Sequence, residues 1–254
     1  MTTTRQPDTW EDLRAWTEAR LALGRAGISQ PTRAHLAFQL DHARARDAVW
    51  TALDTDALCH ALGPLPFPPL VVGSLAPDRL TYLQRPDLGR QLDDQAITIL
   101  GSHGGQHADV VFVIADGLSA RAVQEGAPAL VRRLHERCAV QGWRVAPPVI
   151  VRQGRVAVGD AIGGLLGARL SVLMIGERPG LSSPHSMGAY LTFAPVPGRT
   201  DAERNCVSNI RPGGLTTEDA AGRLDYLMRE SLRRGLSGVS LKDAYEPMPM
   251  KPPV

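Results

Sequence analysis

Val110-Val111-Phe112-Val113-Ile114-Ala115 is an unbroken apolar run with no polar residue at alternate positions. A strand with one face in water alternates apolar and polar side chains, so this run predicts a strand buried on both faces, the mark of a parallel sheet covered by helices. Leu170 to Ile175 gives a second such strand, and Val149 to Val158 and Ala189 to Ala194 are further candidates. Helical segments lie between and after them. One follows Ala120 and ends near Gln141; the last, opened by Thr216 or Thr217 with Glu218 and Asp219 in its first turn, runs to about Arg234. Strand and helix in alternation predict an α/β fold, a mainly parallel sheet with helices on both faces.

The stretch ahead of that sheet reads differently. Residues 1–100 form a helical N-terminal region with a proline-rich connector, and residues 101–254 carry the sheet. Asp8 to about Gly63 looks helical: Trp10, Leu13, Trp16, Leu21 and Leu23 give one apolar face, broken at Gly24 and Gly27. Pro31 then stands where a first-turn proline is tolerated, opening a helix to about Leu53 with a stripe of Leu36, Leu40, Ala43 and Val49. Leu62 to Pro69 holds four prolines and one glycine, a connector, and Asp78 to Leu100 returns to helix.

Charge and cysteines narrow the function. Lys+Arg 28 against Asp+Glu 26, a net charge of +2, is a balanced surface and no footprint for nucleic acid. Cys59, Cys138 and Cys206 lie far apart, read as reduced thiols, and suit no zinc site. No apolar run approaches the roughly 20 residues of a membrane span, and Met1 to Asp8 lacks the apolar core of a secretory signal, so the expected location is the cytoplasm.

Ligand chemistry is expected where strands end. Behind Leu170 to Ile175 stands Gly176-Glu177-Arg178-Pro179-Gly180-Leu181-Ser182-Ser183, which stops the strand and leaves a carboxylate and a guanidinium at its carboxyl end. Ligands of open α/β sheets bind in that crevice. Asp116-Gly117-Leu118-Ser119 ends another strand: either a ligand loop at a helix N-terminus, or a cap in which Asp116 or Ser119 satisfies the helix N–H groups. Gly159 to Gly167 matches neither dinucleotide nor P-loop glycine patterns; its glycines suit a helix brought close to the sheet or ended, with a phosphate cradle as the alternative. His103 and His107 have glycines between them and read as loop residues. Glu203 to Pro212, with Cys206, Asn205, Ser208 and Asn209, suits an amide-lined ligand or an Asx-rich turn network. No triad, paired carboxylates or metal box emerges, so no catalytic and no metal-binding residue is assigned.

Five segments together resemble the light chain of ethanolamine ammonia-lyase. They are Leu23 to Gly27 with Leu36 to Val49; Arg85-Pro86-Asp87-Leu88-Gly89-Arg90; Ile114 to Ala120; Ile175 to Leu181 with Arg199 to Arg211; and Ser237 to Asp243. The resemblance covers nearly the whole chain. It implies a Rossmann-like, cobalamin-binding domain at 101–254 and a hetero-oligomer with a TIM-barrel heavy chain. That assembly converts ethanolamine to acetaldehyde and ammonia by adenosylcobalamin-dependent radical chemistry, with the catalytic residues in the partner. The family's corrinoid contacts, a valine, a glutamate and a cysteine, fall on Val156, Glu177 and Cys206, with Val158 offering a second register for the valine. Glu177 would accept N–H bonds from corrin amides, Val156 would give apolar contact, and Cys206 would pack with a weak hydrogen bond. No Asp-x-His-x-x-Gly motif occurs, which predicts that cobalamin keeps its own dimethylbenzimidazole. Some members carry a longer leader tied to bacterial microcompartments; this chain starts almost at its first helix, so enclosure is left open. Two other readings are a stand-alone Rossmann-type nucleotide-binding enzyme, which lacks its glycine fingerprint here, and a non-catalytic assembly protein of the same fold.

Overall fold

A computed structural model describes residues 8, 10–105 and 107–246. The expectation drawn from Met1 to Asp8 lies, apart from Asp8, outside them. In chain order the elements are α1 (Thr32–Trp50), α2 (Thr55–Leu62), β1 (Leu70–Gly73), α3 (Arg79–Gln84), α4 (Asp94–Ser102), β2 (Val110–Ala115), α5 (Ala120–Val140), β3 (Val149–Arg152), α6 (Val158–Leu166), β4 (Leu170–Gly176), β5 (Met187–Phe193), β6 (Arg204–Ile210) and α7 (Thr217–Arg234).

The fold is mixed α/β, built on one six-stranded sheet of order β1-β3-β2-β4-β5-β6. β1, β3, β2 and β4 run parallel, with Ala115 opposite Val151 on one side and Ile175 on the other. β5 and β6 return antiparallel, which the strand–helix alternation did not lead one to expect. The reason is connection length: only residues 177–186 link β4 to β5, too few for the crossover that a parallel neighbour requires.

Side-chain alternation along β2 divides the core. Val110, Phe112 and Ile114 point towards α5, α7 and α2, whereas Val111, Val113 and Ala115 point towards α4 and α6. All six are buried, as the continuous apolar run predicts. Gly159 and Gly163 bring α6 onto the sheet: a Cβ at Gly163 would stand 2.4 Å from Pro195, and one at Gly159 3.0 Å from Leu173. Gly167, in the left-handed conformation at φ 65°, ends that helix. Thr216 caps α7 by accepting the Asp219 N–H at 3.1 Å.

The N-terminal segment departs from the helical reading. Glu11–Trp16 makes only a 3-10 turn. Ala22, Gly24 and Gly27 then take positive φ, and the Arg14 guanidinium binds the carbonyls of Leu21 and Ala22, so the chain turns instead of continuing as helix. On α1 the expected stripe meets no core: Ala48 alone is buried, and Leu36 is 57 % exposed. Asp78 to Leu100 also breaks, into α3, a short 3-10 turn at Leu88–Arg90, and α4.

Candidate functional site

The loops behind β2, β3 and β4 meet at the carboxyl ends of the parallel strands, and backbone geometry locks two of them together. Gly117, at φ 56°, leaves no room for a side chain, since a Cβ there would stand 2.3 Å from the Gly176 carbonyl oxygen. A Cβ on Gly176 would meet the Ser119 carbonyl oxygen at 2.1 Å. Two glycines in contact let the Leu118 N–H donate to the Gly176 carbonyl at 2.9 Å.

The third loop is held by Asp116. Its buried carboxylate accepts the N–H groups of Gly117, Gln153 and Gly154, each at 3.0 Å. Arg79 stands 3.6 Å away and also donates to the Gly117 carbonyl at 2.8 Å and the Val49 carbonyl at 2.6 Å. Burial pushes the Asp116 carboxyl up to about 6, against the opposing pull of Arg79 and the three N–H groups. Neither Asp116 nor Ser119 caps α5; the Ser119 hydroxyl donates to the Pro184 carbonyl at 3.0 Å. The turn behind β2 is therefore a clasp between loops, a role that neither sequence reading foresaw. This clasp also explains why β3 stops at Arg152 and does not reach Val158: Gln153 takes φ 56° to present its N–H to Asp116.

Above these loops opens a cleft of about 430 Å3. Tyr82, Leu118, Val156, Ile175, Glu177 and Tyr190 form much of its wall, with Arg178 exposed at its margin. Val156 and Glu177 are thus brought together. Val158, the first residue of α6, is fully buried in the core, so of the two valines only Val156 is open to a ligand. The Glu177 carboxylate accepts the Ser186 hydroxyl at 2.5 Å and the Asn209 N–H at 3.3 Å, leaving lone pairs for another donor. Gly188 makes space for it: a Cβ there would lie 3.0 Å from the Glu177 Oε1.

Cys206 lies outside that cleft, on the exposed side of β6, opposite Tyr190 in the ladder. That pairing joins Cys206 to the cleft wall, which Tyr190 lines. Although the residue is exposed at the sheet edge, the protein packed around its sulfur raises the thiol pKa, with the Glu177 charge adding to the effect. That favours the neutral thiol over a nucleophilic thiolate. Glu203 to Pro212 itself is mostly the edge strand β6, with Arg204, Val207 and Ile210 buried and Cys206, Ser208 and Asn209 outward.

A second cleft of about 370 Å3 adjoins the first through Arg155 and Val156 and is lined by Arg90, Arg199, Asp201 and Arg204 as well. The Arg204 side chain is 3 % exposed and pairs with the equally buried Asp160; it also reaches Asp201 at 3.1 Å and the Arg199 carbonyl at 2.9 Å. Arg199 pairs with Glu203 at 2.5 Å. Arg155 stacks on Tyr82 at 4.1 Å from the ring centroid and donates to the Tyr82 carbonyl at 3.1 Å. The Arg85 to Arg90 segment reaches this corner because Gly89 accepts the Arg155 N–H at 2.7 Å and, lacking a side chain, fits against the Arg155 stem.

Sequence reasoning missed Tyr82, Arg79, Ser186 and Tyr190. Tyr82 is fully buried with its hydroxyl on the Gly154 carbonyl at 3.2 Å, a contact across 72 residues with no local signature. Tyr190 could have been found, since its place on a strand candidate next to the Glu177 loop was visible.

Residues 7–242 match the family model of the ethanolamine ammonia-lyase light chain. Relatives named ethanolamine ammonia-lyase small subunit include one from Azotobacter vinelandii, 56% identical over 241 residues, covering 93% of this chain and 89% of the relative. One from Ralstonia nicotianae is 54% identical over 248 residues, covering 96% and 91%, and one from Xanthomonas campestris pv. campestris is 53% identical over 245 residues, covering 95% and 90%.

Proposed function

The chain belongs to the ethanolamine ammonia-lyase light chain family and so is a lyase subunit, and on that premise we propose that it holds one side of adenosylcobalamin at the interface with the heavy chain. The observation that carries this reading is the cleft lined by a half-buried Val156 beside a Glu177 carboxylate oriented by Ser186 and Asn209 with acceptor capacity to spare.

The residues fit the group. Corrin has apolar faces and a rim of amides; Val156, Leu118 and the tyrosines give apolar wall, and Glu177 is an acceptor placed on a rigid strand end. Cys206 supports the wall through Tyr190. When bound, the cofactor supplies the radical chemistry that converts ethanolamine to acetaldehyde and ammonia. This chain's residues bind and orient it and exclude water from one side, while the catalytic groups stand in a TIM-barrel partner. In this reading the cofactor-holding unit is the Rossmann-like segment 101–254, with residues 70–73 adding an edge strand to its sheet. Among the described residues no helix is long and apolar enough to cross a membrane, and we place the complex in the cytoplasm, with or without a microcompartment around it.

Coexpression with the heavy chain tests the reading: acetaldehyde formation from ethanolamine is expected only with both chains and adenosylcobalamin. Glu177→Ala is expected to raise the cobalamin Kd about tenfold while the chains still copurify. Tight dinucleotide binding by this chain alone, with no dependence of the complex on cobalamin, would give the ground to the nucleotide-enzyme reading.

A further inference from the structure

The arginine-lined cleft next to Val156 has a charge balance that asks for a ligand. Its four guanidiniums (Arg90, Arg155, Arg199 and Arg204) face three carboxylates, Asp160, Asp201 and Glu203, all engaged with Arg204 or Arg199. Among the described residues neither Arg90 nor Arg155 forms an ion pair, so the corner is left with a net single positive charge. Two donors there are unspent: the Nε–H groups of Arg155 and Arg204 are buried without a hydrogen-bond partner, and the Arg204 side chain is only 3 % exposed. A buried guanidinium N–H left unmatched is costly unless something occupies the space beside it. Ala157, the N-cap position before α6, lines the same cleft and offers no side-chain cap, so the positive end of that helix dipole adds to the field.

We propose that this cleft is the subsite for the phosphodiester of the cofactor's nucleotide tail. The inference rests on the cobalamin reading above. A phosphodiester carries one negative charge, which matches the surplus, whereas a nucleoside triphosphate would bring several and find one. The two clefts share Arg155 and Val156, so one ligand can place its macrocycle against Glu177 and Tyr190 and its anionic arm among the arginines. Gly159 to Gly167 offers no competing phosphate cradle, because Pro195, Ser171 and Leu173 fill the space beside Gly159 and Gly163.

Equilibrium dialysis of the assembled heavy–light complex with cobalamin and with cobinamide, which keeps the corrin but lacks phosphodiester and base, separates the clefts without measuring turnover. Arg90→Gln, which lies outside the corrin cleft, is expected to raise the cobalamin Kd about tenfold and leave the cobinamide Kd within about twofold, whereas Arg155→Gln, at the wall common to both clefts, is expected to weaken cobalamin more than cobinamide. Arg90 is exposed, so its variant is safe from the folding risk carried by Arg155 under Tyr82. Unchanged cobalamin affinity in both variants, or equal weakening of both corrinoids, overturns the subsite and leaves the corrin reading in place. Failure of the unmodified complex to bind either corrinoid overturns both. Inorganic phosphate that stabilises the complex to heat while cobalamin and cobinamide bind alike assigns the cleft to free phosphate and also overturns the proposal.

Discussion

The carboxyl rim of the sheet and the segment from Trp10 to Trp50 are both rich in large apolar residues, yet they use them in opposite ways. Around the rim every strand residue of β2 is buried and the loops above are pinned by Asp116 and by glycine contacts. In the N-terminal segment Trp10, Trp16, Ile28 and Leu36 are exposed, and α1 contributes one buried residue. The difference lies in available partners. A strand in the middle of a sheet is covered by neighbours that the same chain supplies, whereas a 19-residue helix carrying large apolar residues needs a second surface, and this chain offers it little.

Graded substitutions can break or sharpen that contrast. Phe112→Ala, in the fully buried centre of β2, is expected to cost about 3–5 kcal/mol in chemical denaturation of the chain; a loss near 1 would mean that the centre is not the rigid part. Next comes the clasp. Asp116→Asn keeps one acceptor and turns the other into a donor facing the Gln153 N–H and Arg79, at a cost of about 2 kcal/mol near pH 5. Because burial raises the folded carboxyl from 3.8 to about 6, the folded state holds its proton more tightly than the unfolded chain. The stability this group contributes is therefore full below about pH 4 and is lost as pH rises through 6. Denaturation curves across that window should show the slope in the natural chain and a flatter one in Asp116→Asn; parallel curves would remove Asp116 as its source.

Smaller effects probe the edges of the two regions. Gly188→Ala presses on the free end of the Glu177 side chain and is expected to cost about 1 kcal/mol, since a side chain and not backbone must give way. A larger loss than that of Asp116→Asn would show that β5 itself shifts. Leu36→Ala, on the open face of α1, should change stability of the isolated chain by less than about 0.5 kcal/mol. A cost comparable to that of Phe112→Ala would abolish the distinction between the two regions.

What the sequence made legible follows from how local each signal is. β2, β4 and α7 could be read because a continuous apolar run or a capping threonine lies within a few residues of the element it defines. β1 has only four residues, behind a proline-rich connector, and its partner β3 is some eighty residues away. β6 was hidden because its buried residues Arg204, Val207 and Ile210 fall three apart, the last step set by an extra β6 residue opposite Met187 to Ala189, which erases the alternation of a half-buried strand. In the cleft, Val156 and Glu177 were visible as members of motifs. Ser186 and Asn209, which orient Glu177, and the Tyr82 wall beside them come from other loops and strands, and their convergence is a property of the folded sheet alone.

The contact between Gly117 and Gly176 has a consequence for how the site opens in time. Leu118 sits in a turn, where amides ordinarily exchange with solvent deuterium fast, yet its N–H is bonded to the Gly176 carbonyl across two strand ends. Nothing can part these turns without also parting β2 from β4, so this amide should exchange at the pace of the central strands. The wall of the cleft then has the lifetime of the core.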